Sequence, residues 1–381
     1  MSISAKNENI RVVHLSSAVE WRGGEQQILY LYQGLKEKGI NQWIWVPNGL
    51  VSDKFANAKV TVKRLLFRQP WLLIDVVRLS IFCKKNKVNL IHAHDSKAHS
   101  LAFLLTDLLG LKCSVIVHRR VDNPIKSGFF TRKKFFSKSL KKIICVSSNI
   151  KNVVDAHFPE LAKKSVVIYS GVTSKLSTQS DSAGLRNQLS IKKDEILIGN
   201  ISALDDHKDP QTFLEVAIKM RKAGFKAKFV WIGGGEKWRQ TLLSKVKSAG
   251  MEEDILFPGY VENAKNHLNE FDVFLFTSSS EGLGTTVIDA MMTKVPIVAT
   301  AGGGVPELIT DKRTGILASV GDVEALSEGI QWFAQNPIEK QQIVEAAYAK
   351  ATTFFSTDTM VRDTLEIYLS CLETTKDWLG Q

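Results

Sequence analysis

The stretch TSSSEGLGTTVIDAM, residues 277–291, decides how this chain folds. The apolar residues 273–276 precede it and predict a buried strand, and an amphipathic pattern over 284–293 predicts a helix after it. Two glycines, Gly282 and Gly284, stand in the turn between them, where the backbone can come close to a ligand. A strand, a tight turn and a helix in this order are the building unit of a parallel α/β sheet.

The residue types of this stretch fit a sugar attached to a phosphate. The free N–H groups at the start of the predicted helix, near Gly284, would stabilise the charge of a diphosphate without reorganising. Glu281 and Asp289 place one carboxylate at each end of the segment, and carboxylates accept hydrogen bonds from sugar and ribose hydroxyls. We therefore predict that this stretch binds a nucleotide-sugar.

Strand and helix patterns alternate along the whole chain, which predicts a parallel sheet in each half. At 381 residues the chain exceeds the usual size of a single core, so we expect two domains. The predicted strands lie near 10–16, 41–47, 89–94, 113–119, 142–147, 166–170, 195–202, 228–233, 255–258, 273–277, 296–300 and 315–318. The predicted helices include 24–38, 97–110, 148–157, 211–223, 237–249, 284–293, 322–335 and 338–353. Ligands of doubly wound sheets bind beyond the carboxyl ends of the strands, so we expect the two domains to face a shared cleft.

A series of motifs in a fixed order resembles glycosyltransferase family 4, the glycosyl transferases of group 1, whose members are retaining enzymes with the GT-B fold. In the second half the motifs are residues 281–289, 296–300, 302–303, 306–307, 314–315 and 321–322, with residues 198–208 opening the domain. In the first half they are residues 23–25, 91–95, 144–148 and 167–172. The resemblance covers nearly the whole chain.

The resemblance implies two doubly wound, Rossmann-like domains. Residues 1–175 would bind the acceptor, residues 191–355 would bind the donor, and a C-terminal helix in 356–381 would return to the first domain. The polar stretch 173–190 is the predicted linker. The implied activity is that of a hexosyltransferase. It would move a hexose from a UDP- or GDP-sugar to a lipid-linked or polysaccharide acceptor during synthesis of lipopolysaccharide, capsule or exopolysaccharide.

The resemblance also assigns roles to individual residues. Glu281 and His118 are the catalytic candidates, because Glu281 would position the sugar hydroxyls and His118 would contact the transferred sugar. Asp95 and Arg119 are the candidates on the acceptor side. The donor-binding candidates are Lys208, Gly282, Leu283, Gly284, Thr285, Asp289, Gly23 and Gly24.

Some of these residues have a structural alternative. Gly23 and Gly24 either contact a phosphate or sugar, or form a tight turn before a helix. Asp95 either orients an acceptor hydroxyl or caps the helix that starts at Ser96. His92 is interpreted as a core histidine that faces the opposite side of its strand from His94.

The chain departs from the family pattern at two positions. Asp289 stands where the family usually has Glu, so the carboxylate reaches one methylene less far. Ala203 stands where the family usually has an Arg that holds the diphosphate together with a Lys, and Lys208 remains.

The sequence has no Asp-x-Asp motif after a strand, so we expect no metal and no cofactor. The diphosphate would be stabilised by Lys208 and the helix start, and retention would follow front-face attack, since the sequence offers no obvious nucleophile for a covalent intermediate.

The charge of the chain, +11 overall, is unevenly distributed, because the first half is strongly basic and the second is acidic. A basic first domain predicts an anionic partner.

One basic cluster is interleaved with aromatic residues, namely Phe129, Phe130, Phe135 and Phe136. This pattern fits an anionic membrane surface, and it fits equally a solvated helix with its rings in the core. A nucleic-acid partner is not expected, since no such motif accompanies the charge. The basic clusters are Lys84-Lys85-Asn86-Lys87, Arg119-Arg120, and Arg132-Lys133-Lys134 with Lys138, Lys141 and Lys142.

The sequence predicts a cytoplasmic protein, peripheral on the inner face of the membrane if the membrane contact is real. The most apolar run, residues 101–111, is too short to span a bilayer, and the N-terminus is polar. The four cysteines are scattered along the chain, and we predict that they are reduced, buried thiols.

Two other functions compete with sugar transfer. The first is a catalytically weak GT-B partner or scaffold that binds nucleotide without turnover, and Ala203 and Asp289 motivate it. The second is an epimerase on the same fold. The donor sugar, its base, the acceptor and the oligomeric state do not follow from the sequence.

Overall fold

A computed structural model describes residues 9–66, 72–173 and 184–379 of the chain. The chain forms two compact units, which are Met1–Gly171 with Thr357–Gln381, and Val172–Ser356. Most of the predicted linker 173–190 and the polar N-terminus before residue 9 lie outside the described residues. Each unit has its own parallel sheet and its own core.

The first unit contains a seven-stranded sheet. Its strands are β1 (Arg11–Leu15), β2 (Asn41–Pro47), β3 (Val62–Leu65), β4 (Leu90–Ala93), β5 (Ser114–Arg119), β6 (Leu140–Cys145) and β7 (Ser165–Val167). They lie in the order β3-β2-β1-β4-β5-β6-β7, and each neighbouring pair is parallel. The strand order therefore reverses between β1 and β4, where doubly wound sheets bind ligands.

Helices cover this sheet, and the loops at the carboxyl ends of its strands lead into several of them. They are α1 (Gly23–Glu37), α2 (Leu50–Asn57), α3 (Leu72–Lys85), α4 (Ser96–Phe103), α5 (Phe129–Phe135) and α6 (Ser148–His157). The helix predicted over 97–110 is divided, because α4 ends at Phe103 and a π-helical turn, Leu104–Leu108, follows it. Strand β3 was not predicted, since its short sequence exposes Lys63 and Arg64 and lacks an apolar run.

The second unit contains a six-stranded parallel sheet. Its strands are β8 (Ile196–Ile201), β9 (Ala227–Ile232), β10 (Ile255–Gly259), β11 (Val273–Phe276), β12 (Ile297–Thr300) and β13 (Ile316–Ala318). The order β10-β9-β8-β11-β12-β13 reverses between β8 and β11. Parallel strands that are buried on both faces have continuous apolar sequences. In residues 273–276, for example, all four side chains are buried.

The second unit also alternates strands with helices. They are α7 (Leu185–Gln188), α8 (Pro210–Lys222), α9 (Glu236–Ser248), α10 (Thr285–Met292), α11 (Val305–Leu308), α12 (Val323–Gln335) and α13 (Pro337–Phe354). In its core the rings of Phe213 and Trp231 meet edge to face at 5.1 Å. The predicted fold class is confirmed, since both halves are parallel α/β sheets with helices between the strands.

The last helix, α14 (Thr357–Leu379), belongs to the first unit. It packs against α1, β5 and β6, and Met360, Val361 and Tyr368 enter the core of that unit. The Tyr368 hydroxyl is hydrogen-bonded to Nδ1 of His92 at 2.7 Å. The C-terminal helix therefore reaches the strand that carries the histidine motif.

None of the helices that the structure describes has the length and apolar character needed to cross a bilayer. All four cysteines are buried and free. Burial raises the pKa of each thiol, for example that of Cys113 to about 12, so these groups stay protonated near neutral pH.

Candidate active site

Two loops of the second unit come together at the reversal point of its sheet. One follows β11 and carries residues 277–284, and the other follows β8 and forms a 3₁₀ turn, Asp206–Lys208. The Ser279 N–H donates to the carbonyl oxygen of His207 at 2.8 Å, and the Thr277 hydroxyl donates to that of Lys208 at 3.1 Å. These bonds bring Lys208 next to the turn that contains Glu281.

Lys208 and Glu281 form an ion pair through Nζ and Oε1. Their side chains are only 16% and 10% exposed, so the pair is largely shielded from water. The ammonium group also lies 5.6 Å from the ring centroid of Phe276. Each of the two charges is the other's partner, so an anion that binds Lys208 would share its ammonium group with Glu281.

The glycine run after β12 packs against the backbone of the same turn. Gly303 has φ +57°, and a Cβ there would lie 2.1 Å from the carbonyl oxygen of Glu281. The Gly304 N–H donates to that oxygen at 2.9 Å. The glycine run therefore packs closely against the turn that contains Glu281, where a larger residue would not fit. This contact holds the backbone of Glu281 in place.

Gly284 is the N-cap of α10 and has φ +93°, a conformation that favours glycine. Leu283 before it is buried, while Gly282 and Thr285 are partly exposed. In the first turn of α10 the Val287 N–H donates to the carbonyl oxygen of Gly284 at 3.0 Å. The N–H groups of Thr285 and Thr286 precede the intrahelical bonds, so they can receive an anion. The predicted donor-binding residues Lys208, Gly282, Leu283, Gly284 and Thr285 thus lie in one small region of the second unit.

Asp289 lies one turn further along α10 and is partly buried. Burial raises the pKa of its carboxyl to about 6, and the nearby Lys265 only partly offsets that effect. A carboxylate whose ionisation is opposed by its surroundings is typical of a functional position, although ion-pair networks also perturb pKa values.

The first unit gathers histidines at the reversal point of its own sheet. His14 on β1 is the register partner of His92 on β4, and the rings of His92 and His94 are 4.1 Å apart. The expectation that His92 faces the opposite side from His94 is wrong, because residues two apart on a strand share one face. His118 at the end of β5 stacks on His92 with ring centroids 5.4 Å apart.

Arg120 joins this cluster from the loop after β5. Its guanidinium lies 3.1 Å from Nδ1 of His94, 3.2 Å from Nδ1 of His118 and 3.2 Å from the carbonyl oxygen of His94. Burial lowers the pKa of Arg120 to about 10, and Glu25 and Asp95 counteract that shift, so the guanidinium remains charged at neutral pH. Arg120 is therefore a partly buried cation directed at the histidines.

The four histidines are buried and uncharged near neutral pH. Burial lowers the pKa of His14 to about 4, and it lowers those of His92, His94 and His118 as well. The positive charge of Arg120 lowers all four pKa values further. Proton transfer by these rings would therefore require a change in their surroundings.

Gly23 and Gly24 are the first residues of α1. Gly24 lies beside Arg120, and a Cβ there would be 3.7 Å from Cδ of the arginine, which is an ordinary contact. Neither glycine has a positive φ, so neither backbone conformation requires glycine. The N-terminus of α1 thus adjoins the Arg120 cluster, whereas its contact with a phosphate or sugar stays a prediction.

Asp95 is the N-cap of α4. Its carboxylate accepts bonds from the N–H groups of Lys97 and Ala98, both at 2.9 Å, and from the N–H and hydroxyl of Ser17 at 2.6 and 2.7 Å. The structure therefore shows Asp95 as the cap of α4. Its orientation of an acceptor hydroxyl stays a prediction. Arg119 donates to the carbonyl oxygen of Asn123.

Three buried histidines, His14, His92 and His94, have ring nitrogens within 4.8 Å of one another, a spacing that could hold a metal ion. The bond from Arg120 to Nδ1 of His94 argues against this use, because it leaves the proton of that neutral ring on the nitrogen that faces His14. A cation here would also be repelled by the guanidinium. We therefore assign no metal to these histidines.

The basic and aromatic residues of α5 are divided between core and surface. Lys134 and Phe135 are buried, and the Lys134 ammonium donates to Ser96 and Ser100, so these two do not form part of a surface cluster. Phe129 is 78% exposed, with the Lys133 ammonium 4.5 Å from its ring centroid.

Comparisons with known proteins identify the family of this chain. The family profile described as Glycosyl transferases group 1 matches residues 181–350, and the one described as Glycosyltransferase Family 4 matches residues 21–175. The chain belongs to glycosyltransferase family 4. The first matched segment begins after β1 and includes β4 and β5, and the second includes both β8 and β11.

Several relatives of this family 4 glycosyltransferase are known. N-acetyl-alpha-D-glucosaminyl L-malate synthase of Bacillus anthracis is 22% identical over 81% of both chains. The lipopolysaccharide core biosynthesis glycosyltransferase LpsE of Rhizobium meliloti is 19% identical, with 91% of this chain and 96% of LpsE covered. The solved structure of Anabaena Alr3699/HepE in complex with UDP-glucose has a TM-score of 0.82 and 18% identity, with 95% of this chain and 100% of HepE covered. The last comparison shows the GT-B fold.

Sequence reasoning quoted His94 within the motif 91–95 without giving it a role, and it missed Arg120, His14 and Gln42 as potential site residues. Arg120 was grouped with Arg119 because the two are adjacent, although Arg120 is two residues after His118 and just beyond the end of β5, where it can turn toward the histidines. His14 and His92 occupy paired register positions, a signal that requires the strand order to be known first.

Proposed function

We propose that this glycosyltransferase moves a hexose from a UDP- or GDP-sugar to a lipid-linked or polysaccharide acceptor during synthesis of a cell-envelope glycan, with retention of configuration and without a metal. The observation that carries the proposal is the shielded Lys208–Glu281 pair beside the free N–H groups that begin α10. The relatives named above include a lipopolysaccharide core enzyme and a structure with bound UDP-glucose, which supports this substrate class.

In the proposed reaction the bond between the anomeric carbon and the donor phosphate breaks, and the acceptor oxygen bonds to that carbon on the same face. The leaving phosphate oxygen takes the proton of the acceptor hydroxyl. Lys208 and the N–H groups from Gly282 to Thr285 stabilise the charge of the departing diphosphate. Glu281 holds the sugar hydroxyls, and Asp289 accepts bonds from the ribose.

The first unit is proposed to serve the acceptor side and the transferred sugar. His118 contacts the sugar, and Asp95 and Arg119 lie toward the acceptor. Because the carboxylate of Asp95 is occupied by Ser17 and the start of α4, its contribution would be to hold that loop in position. Gly23 and Gly24 would allow a phosphate or sugar to approach the N-terminus of α1.

We further propose that the first unit lies on the cytoplasmic face of an anionic membrane, and α3 is the surface that supports it. Its exposed face carries the aliphatic residues Leu73, Ile74, Val77 and Ile81, followed by Lys84 and Lys85. Asp75, the acid of this helix, is buried. An apolar stripe that ends in cations, without an exposed acid, suits anionic headgroups.

The alternative function is a partner or scaffold that binds nucleotide without turnover. Ala203 leaves Lys208 without the usual second cation, and the structure pairs Lys208 with Glu281. Such a protein would bind UDP or GDP, yet neither consume a nucleotide-sugar nor glycosylate an acceptor.

Transfer and donor hydrolysis measured over a panel of UDP- and GDP-sugars test the catalytic proposal. We expect turnover with one donor class and a loss of about 10²- to 10³-fold in Lys208→Met, because a preorganised charge at the diphosphate is removed. Lys219→Met is the matched control, since Lys219 forms an exposed pair with Glu324 in the same unit. Nucleotide binding without turnover on any donor would support the scaffold instead.

Flotation with vesicles tests the membrane proposal. We expect binding to vesicles of anionic lipid, less binding at high salt, and loss of binding in Val77→Glu with Ile81→Glu. Ile338→Glu alters an equally exposed aliphatic residue of the second unit and should keep binding. Equal binding to neutral vesicles, or retention by the double variant, would contradict the assignment of α3.

A further inference from the structure

The proton positions in the histidine cluster follow from which groups can only donate. A guanidinium has N–H donors and no acceptor. Arg120 contacts Nδ1 of both His94 and His118, so both of these nitrogens must accept. Each of these neutral rings therefore carries its single proton on Nε2.

The other end of the hydrogen-bond chain requires the same arrangement. The Gln42 amide N–H donates to the carbonyl oxygen of Tyr32 at 2.6 Å, so its Oε1 faces His14. The reversed amide would place two oxygens against each other. His14 must then donate from Nε2 to Gln42 at 3.1 Å and accept at Nδ1, where Nε2 of His94 lies at 3.0 Å. A backbone carbonyl and an arginine thus fix one proton pattern from opposite ends.

Three nitrogens of the cluster have no hydrogen-bond partner among the described residues, namely Nε2 of His92, Nε2 of His118 and Nε of Arg120. The tautomer of His92 is not fixed by Arg120, because its Nδ1 contacts the Tyr368 hydroxyl, which can donate or accept. Among the histidines, only His118 is therefore required by the pattern to keep an unpartnered N–H. Nε2 of His118 carries a proton and has no hydrogen-bond partner among the described residues, and the side chain is 4% exposed. A buried N–H without a partner destabilises the folded protein, and such groups usually meet a ligand or serve catalysis.

We infer that Arg120 is a positioning residue that holds His118 in the Nε2–H tautomer, so that His118 meets the donor sugar only as a hydrogen-bond donor. The inference rests on the proposed sugar contact of His118. The part of the sugar that His118 meets must therefore present an oxygen acceptor, and a deoxy analogue at that position would be discriminated against. His118 would orient the sugar and would not act as a general base.

Nitrogen-15 spectra of the full-length protein labelled at histidine test the tautomer directly. We expect the His118 signals, assigned by their loss in His118→Gln, to show a protonated Nε2 and an unprotonated Nδ1 at neutral pH. In Arg120→Met we expect a mixture of both tautomers. A protonated Nδ1 in the unaltered protein would overturn the inference, and this readout does not depend on whether the protein transfers a sugar.

A double-mutant cycle tests the functional consequence. Glutamine at position 118 offers an amide N–H near the place of Nε2 and has no tautomers, so it should not need Arg120. We expect Arg120→Met alone to lower kcat by about tenfold, the loss typical of one hydrogen bond with a charged or precisely placed partner, and to lower it less than about twofold in the His118→Gln background.

Losses that multiply in the double variant would show that Arg120 acts only through structure, and would contradict the positioning role. Arg64→Met removes an exposed arginine that pairs with Asp53 in the same unit, and serves as the control for arginine loss. If the unaltered protein transfers no sugar from any donor, the proposed function fails, while the spectra still decide the tautomer.

Discussion

The turn around Glu281 and the cluster around Arg120 lie at the reversal points of two similar sheets, yet they handle charge in different ways. At Glu281 two opposite charges neutralise each other within a backbone held by glycines. At Arg120 one cation lies beside uncharged histidines, and a hydrogen-bond chain joins it to His14, His94 and His118. The difference indicates that Lys208 in the second unit can exchange its partner Glu281 for the charge of a ligand. In the first unit, Arg120 and the histidine rings keep a fixed arrangement of N–H donors.

The largest effect should come from a methyl group placed against the Glu281 turn. Gly303→Ala combines a left-handed backbone with a Cβ 2.1 Å from the carbonyl oxygen of Glu281, and should destabilise by about 3 kcal/mol. Gly24→Ala in the first unit meets only Arg120 Cδ at 3.7 Å and should change stability by less than about 1 kcal/mol. Urea unfolding of both variants makes the comparison. Similar losses would show that the two glycine sites are equally constrained.

The second effect concerns the ion pair. Lys208→Met or Glu281→Gln alone leaves a shielded charge without its partner, and we expect each to cost about 2 kcal/mol, less than for a fully buried pair because some exposure remains. The double variant should be more stable than the sum of the two losses implies. Additive losses in urea unfolding would show that the pair contributes nothing to the free protein, and that its role lies with the ligand alone.

The two regions also differ in how far the sequence predicts them. The turn with Glu281 is contiguous in the chain, so its strand, glycines and helix start were predicted, and the fold class followed from the same pattern. The Arg120 cluster joins β1, β2, β4 and the end of β5, so its contacts depend on strand order and register. Adjacency misled the interpretation of Arg120 and Lys134, because a basic residue can turn inward when backbone carbonyls, hydroxyls or rings accept its protons.

A third, smaller effect tests the capping function of Asp95. Asp95→Ala removes acceptors for Ser17, Lys97 and Ala98, and should destabilise by about 1–2 kcal/mol. Asp95→Asn keeps an acceptor for the helix start and should lose less. If the only role were structural, activity per folded molecule would be unchanged in both variants. A fall in kcat at equal folding would support the proposed acceptor role.

The smallest effect follows from Asp289. Because burial raises its folded pKa to about 6, the unfolded chain releases this proton first as pH rises from about 4. Stability is thus lost between these pH values, and the loss is complete above the folded pKa. We expect Asp289→Asn to be more stable than the unaltered protein by about 1 kcal/mol near pH 7, and to show no such gain near pH 4.

Unfolding in urea at both pH values measures that difference, and a gain that is the same at both would contradict the pKa assignment. Thermal-shift titration of the same variant with UDP and with GDP tests whether Asp289 binds the ribose. If it does, Asp289→Asn should be more stable than the unaltered protein and should bind nucleotide more weakly. A carboxylate whose charged form opposes folding lowers stability, which fits a position where the charge serves a ligand. Weaker nucleotide binding together with higher stability would therefore show that the charged carboxylate of Asp289 serves the ligand. The histidines of the first unit differ in this respect, because they are uncharged near neutral pH.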